Sequence, residues 1–270
     1  MTTTFDKAVQ LAPAGDHRYT GATEPAYTNM VGPFGGTTAA TLLNAVLLHP
    51  LRQGDPISLT VNFAGPVAEG AFEIEAHPVR TNRSTQHWSL QLLQQGQVAV
   101  TATAVLAQRR RTWSAAEATM PDQGLPRASD LQPLSLPGAP AWVGQYEMRF
   151  ADGEAPTVFD GREQPHAHSR MWIRDAQPRA LDFLSLAALC DSFFPRIFIR
   201  RRAPTPIGTV SLTCFFHADA AQLAQHGERH VLGSARALAY RNGYFDQSAE
   251  IWGDDGQLLA SSHQMVYFRE

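Results

Sequence analysis

Cysteine is scarce, charge is sparse and long apolar runs are missing, and each absence excludes something. There are two cysteines in 270 residues, Cys190 and Cys214, both inside apolar runs. That points to small core residues in a reducing cytoplasm rather than a disulfide framework. Charged residues make up 17% and the formal net charge is -3, so nucleic acid is not the expected partner. No stretch reaches the roughly 18 apolar residues that a membrane span needs. The N-terminal Met1-Thr-Thr-Thr-Phe-Asp-Lys7 has neither a basic n-region nor an apolar h-region, so no signal peptide is read there. The expectation is a soluble cytoplasmic protein. A Gly-x-Ser-x-Gly elbow, a P-loop and a Gly-x-Gly-x-x-Gly fingerprint are also missing. His166-Ala-His168 lies in a Pro/Gly-rich loop without further ligands at metal spacing, so neither metal nor cofactor is expected.

What is present is a change of period. Gly32-Pro-Phe-Gly-Gly36 is followed by Thr37-Thr-Ala-Ala-Thr-Leu-Leu-Asn-Ala-Val-Leu-Leu-His49-Pro50, which predicts a helix over 38–48 with a Thr cap. Four alternating runs follow, at 58–64, 72–80, 87–93 and 98–106, the last two split by Gln94-Gln-Gly-Gln97 as a hairpin turn. Between 109 and 144 the pattern dissolves into Pro, Gly, Ser and Asp, the composition of a surface linker. The order then recurs. Strands at 145–150 and 170–174 lead to Leu181-Asp-Phe-Leu-Ser-Leu-Ala-Ala-Leu-Cys-Asp-Ser-Phe-Phe-Pro195, which reads as a helix apolar on every side. Strands at 210–216, 231–239, 245–252 and 258–268 close the chain. Gly96 falls opposite Gly256, 160 residues on, and Phe63 opposite Phe216, 153 residues on. The chain therefore reads as α+β: two copies of one unit, each a long helix wrapped by an antiparallel sheet, with the sheets joined into one. The expected division is 1–110, a linker at 111–144, and 145–270.

That layout resembles the hotdog fold, and two tandem copies resemble the double-hotdog acyl-CoA thioesterases of the type II kind. The pieces that carry the resemblance are Gly-Pro-Phe-Gly-Gly36, Pro-Val-Arg-Thr-Asn-Arg-Ser84, Leu-Cys-Asp-Ser-Phe193, Gly-Thr-Val-Ser-Leu-Thr-Cys-Phe-Phe-His217 and the closing Leu-Leu-Ala-Ser-Ser-His-Gln-Met-Val-Tyr-Phe-Arg269. The resemblance implies hydrolysis of acyl-CoA to free acid and coenzyme A, a place in lipid metabolism, and pairing of sheets between copies as a homo-oligomer. It also implies a catalytic set of Asp, Thr and Gln in the second unit. These map onto Asp191, Thr209 and Gln264.

The residues point the same way on their own. Asp191 is a carboxylate expected in the last turn of a buried helix, where desolvation and the macrodipole both penalise its charge. Gln264 shares a strand face with Leu258, Ala260, Val266 and Phe268, so its amide needs a buried partner. Opposite them in the first copy stand Val46, Pro56 and Ala104, for Asp191, Thr209 and Gln264 in turn, so the polar set belongs to one copy only. Gly35 and Gly36 could open helix N–H groups to a substrate oxygen or phosphate, or could simply let the helix pack closely. Arg200 and Arg201, like Arg109-Arg-Arg111, could bind coenzyme A phosphates or form a solvated face. Two rival functions remain: a hotdog hydratase or dehydratase, whose sites usually rely on an Asp/His or Glu pair, and a non-catalytic acyl-CoA or lipid-binding module.

Overall fold

The structure, a computed structural model, describes residues 2–270. In chain order the first unit holds α1 (Thr4–Ala8), β1 (Ala12–Pro13), β2 (Arg18–Ala22), α2 (Gly35–Leu47), β3 (Asp55–Phe63), β4 (Ala71–Thr81), β5 (Thr85–Gln94) and β6 (Gln97–Ala107). The second holds β7 (Tyr146–Asp152), β8 (Ser169–Asp175), α3 (Phe183–Leu189), α4 (Arg196–Arg201), β9 (Ile207–Phe216), α5 (Ala220–His226), β10 (Val231–Arg236), β11 (Tyr240–Arg241), β12 (Tyr244–Trp252) and β13 (Leu258–Phe268).

All pairings are antiparallel, and apart from β11, which pairs with β12, the strands form one sheet in the order β1-β2-β4-β5-β6-β3-β9-β13-β12-β10-β8-β7. That order is the same when read from both ends inwards, which is the duplication expressed as topology. The two halves meet at β3 and β9, where Thr60 is paired with Thr213 and Ser58 with Phe215. Thr60 and Thr213 are 153 residues apart and their hydroxyls lie 3.1 Å from each other, so the pseudo-twofold axis passes between them.

The strands alternate as their side chains require. On β6, Val100, Ala102, Ala104 and Leu106 are buried; on β13, Ala260, Ser262, Gln264 and Val266 are. The β6 residues and Ala260 join α2, whose residues from Gly36 to Leu43 are all buried, in the main core, while Val266 packs with Ile197 and Phe245 in a smaller one. Cys190 and Cys214 are buried and free, as read from the sequence.

Two expectations need correction. The segment 181–195 is not one long helix. Asp182 caps α3 by accepting from the Ser185 N–H, and α3 ends after seven residues at Leu189. Ser192 Oγ donates to the Leu189 carbonyl, and Pro195 opens the separate helix α4. These side chains compete for the backbone groups that a continuous helix would use. The Thr cap on α2 also fails, because the helix starts earlier, at Gly35; Thr37 lies inside it and donates its hydroxyl to the Phe34 carbonyl.

The Pro-rich stretch does more than run over the surface. Met120 is buried with Trp172, Leu232 and Trp252, while Trp142 and Val143 are part of the main core. Covering the indoles of Trp172 and Trp252 removes large apolar area from water, which irregular chain can do as well as a helix. No helix among the described residues is long and apolar enough to cross a membrane.

Candidate active site

The break after α3 decides where Asp191 goes. Cys190 is the C-cap, and Asp191 follows in a turn closed by its own N–H on the Ala188 carbonyl. The carboxylate therefore leaves its own helix and meets the start of α2. That helix has no side-chain cap of its own. The Gly36 N–H faces the Asp191 carboxylate instead and pulls its pKa down. Asp191 thus caps the helix of the other repeat, where the macrodipole favours negative charge. The penalty expected from its own helix end is offset by the facing one.

Both glycines make this approach feasible. A Cβ on Gly35 would stand 2.7 Å from Asp191 Oδ2, and one on Gly36 would stand 2.6 Å from the Ala188 carbonyl oxygen. Gly35 and Gly36 therefore sit behind the carboxylate, where they admit α3, and neither forms part of the cavity wall described below.

The other side of Asp191 faces β13. Gln264 Nε2 donates to Asp191 Oδ1 at 2.8 Å, and two residues earlier Ser262 Oγ donates to the Cys190 carbonyl at 3.0 Å. One strand face thereby satisfies both the end of α3 and its acid. Thr209 reaches the same place through a register shift. β9 buries Phe216, Cys214 and Leu212, but opposite Met265 and Val266 the pairing slips from Ser211 to Thr209. The bulge inverts the alternation, so that Val210 turns outwards at 39% exposure and Thr209 turns inwards.

Asp191, Thr209 and Gln264 all line one cavity of about 360 Å³. Its walls are mostly apolar, with Phe34, Trp142, Phe193, Phe194, Phe198 and Ile207 among them. Phe34 and Trp142 stack face to face with ring centroids 4.3 Å apart, which joins the start of α2 to the end of the Pro-rich stretch. Residues 136–140 complete the wall, so this stretch contributes to the site.

Desolvation sets the chemistry. Asp191 is only partly exposed, and the loss of surrounding water pushes its carboxyl up to about 7, against the opposing pull of the Gln264 amide and the Gly36 N–H. An acid poised there can both take up and return a proton at neutral pH.

The arginines lie elsewhere. Arg200 Nη1 is 3.2 Å from Glu163 Oε2, Arg201 Nη1 is 2.5 Å from Glu270 Oε1, and neither lines the cavity. Arg109 binds the backbone, donating to the carbonyls of Pro56, Phe216 and His217. No group of three or more His, Cys, Asp or Glu among the described residues is placed to hold a metal ion.

Sequence reasoning missed Gln247 and Arg196. Gln247 lies on the buried face of β12 with Phe245, Ala249 and Ile251, and it lines the cavity. A Gln among apolar residues at period two is the same signal that marks Gln264.

Comparison with known proteins fits this arrangement. A family model described as the acyl-CoA thioesterase N-terminal domain matches residues 24–107, and one described as the C-terminal domain matches residues 115–268. No curated protein matches. Among solved structures, a conserved hot dog protein of unknown function from Alicyclobacillus acidocaldarius is 46% identical over 100% of this chain and 99% of its own, with a TM-score of 0.94. The fold is shared with the tesB protein of Mycobacterium avium subs paratuberculosis, at 16% identity over 98% of each chain and a TM-score of 0.78. It is also shared with acyl-CoA thioesterase II TesB2 of Mycobacterium marinum, at 15% identity, 98% of each chain and a TM-score of 0.74. With both halves matched in order over almost its whole length, this chain belongs to the double-hotdog acyl-CoA thioesterase family.

Proposed function

We propose that the protein hydrolyses acyl-CoA thioesters, with the acyl chain in the apolar cavity and water activated by Asp191. Water attacks the thioester carbonyl carbon while Asp191 takes its proton. The tetrahedral intermediate collapses with cleavage of the C–S bond, and the proton passes from Asp191 to the departing coenzyme A thiolate. The free acid ionises in solvent. Gln264 fixes the carboxylate through Oδ1, and the Thr209 hydroxyl holds the water in line.

The observation that carries this reading is the Asp191–Gln264 pair at the wall of an apolar cavity, with the acid held near neutrality. A merely structural acid has little reason to be kept at the edge of a cavity. No histidine is among the described residues that line it, so the Asp/His pair of a hydratase or dehydratase lacks its second member. The test is thiol release from a panel of acyl-CoAs of graded length. Wild type releases coenzyme A from at least one, and Asp191→Asn does so at least 100-fold more slowly. Near wild-type turnover in that variant removes Asp191 from its role. Tight binding of acyl-CoA without thiol release would make the protein a binding module.

A further inference from the structure

Gln247 and Gln264 are directly opposed across β12 and β13, so both amides project from neighbouring strands onto the same cavity. Gln264 is already committed to Asp191. Gln247, 3% exposed, is held on its oxygen side by Arg196, whose Nε donates to Gln247 Oε1 at 3.3 Å. A guanidinium cannot accept, so this contact fixes which end of the amide is oxygen. The NH₂ end then has two hydrogens and, among the described residues, one long contact, 3.5 Å to the Phe193 carbonyl.

Arg196 is unusual in itself. It is 1% exposed and lacks a carboxylate partner among the described residues. Its nitrogens donate to the carbonyls of Phe194 and Ala167 and to Ser169 Oγ, besides Gln247. An unneutralised buried cation is expensive. Here the cation polarises the amide of a residue that lines the cavity and whose NH₂ end has one hydrogen to spare, and a hydrogen bond so assisted is stronger in a dry site than in water.

We propose that Gln247 is an oxyanion donor: its spare Nε2–H binds the thioester carbonyl oxygen as negative charge develops there, and Arg196 is the positioning residue that sets and polarises the amide. This rests on the thioester-hydrolase reading above. It gives the reaction what Asp191, Thr209 and Gln264 leave unsupplied. Asp191 is occupied with the proton of the attacking water, Gln264 Nε2 is engaged by Asp191, and Thr209 is assigned to the water.

The test is steady-state kinetics of wild type, Gln247→Glu, Gln247→Met and Arg196→Lys on the best acyl-CoA of the panel. Glu at 247 gives Arg196 a carboxylate partner, which preserves the fold while removing the donor. Met preserves volume should the charge at 247 prevent folding. Both variants should lose about 100-fold in kcat with KM changed less than threefold, the pattern of an interaction made in the transition state. Arg196→Lys should lower kcat about 10-fold in the wild-type background and no further in the Gln247→Met background. A folded Gln247→Glu or Gln247→Met protein within threefold of wild-type kcat overturns the donor. An undiminished Arg196→Lys effect on top of Gln247→Met overturns the positioning. A wild type that releases no thiol from any acyl-CoA overturns the hydrolase reading itself, a different result from an active wild type with active variants.

Discussion

Asp191→Asn should make the protein more stable at neutral and alkaline pH while removing its activity. The carboxyl is raised from 3.8 to about 7 on folding, so the folded state disfavours its ionised form. A raised carboxyl stabilises the fold only while it stays protonated, and that advantage is lost as pH climbs from near 4 through about 7. At 1.36 kcal/mol per pH unit, the gap corresponds to roughly 4 kcal/mol of destabilisation at pH 8, as an upper bound. Asparagine carries no charge and escapes that cost. It offers one oxygen where the carboxylate offered two, so either Gln264 Nε2 or the Gly36 N–H loses its acceptor. That loss is worth about 1–3 kcal/mol. The net expectation is a gain of about 1–3 kcal/mol at pH 8 that disappears at pH 4.5, where the aspartic acid is already neutral. Urea unfolding of both proteins at the two pH values, compared by midpoint at unchanged m-value, measures it. An equal difference at both pH values would refute the reasoning, because the cost would then not come from ionisation.

The remaining expectations concern rate and shape. Because a base must be ionised to act, kcat/KM should rise with pH through about 7 and level off above it; a flat profile from pH 5.5 to 8.5 contradicts a base held where Asp191 is. Gly35→Ala places a methyl 2.7 Å from Asp191 Oδ2. It should cost at least 10-fold in kcat with a smaller effect on stability, checked by kinetics beside thermal unfolding; unchanged kcat would mean that the carboxylate position is not critical.

The sheet was legible because it is written locally. Alternation at period two fixes which side chains face inwards, and the hairpins at Gly96 and Gly256 fix the register of their strands. The offset of 153 read between Phe63 and Phe216 is also the separation of Thr60 and Thr213, but that these two strands meet at the axis is seen only in the structure. Helix ends were less legible. An all-apolar run carries no phase, so 181–195 read as continuous, whereas Asp182 and Ser192 bond the backbone at each end of α3. The partners of Asp191 come from α2 and β13, far away in sequence, and nothing local to 191 announces them. The inward turn of Thr209 depends on a bulge that simple alternation would miss. Gln247 was legible in principle, as a Gln on an apolar strand face, while the buried state of Arg196 was not. It stands at the start of the short helix that ends in Arg200 and Arg201, and nothing in the sequence separates it from those partly exposed arginines.

The central claim, that Asp191 activates water in the cavity for attack on a thioester, is tested most directly by a single turnover of acyl-CoA in ¹⁸O-labelled water. Released acid carrying one solvent oxygen, with the peptide containing Asp191 unlabelled by mass spectrometry, is the predicted result. Label in Asp191 after the first turnover would contradict it by making the carboxylate a nucleophile, and the absence of any released thiol would contradict it outright.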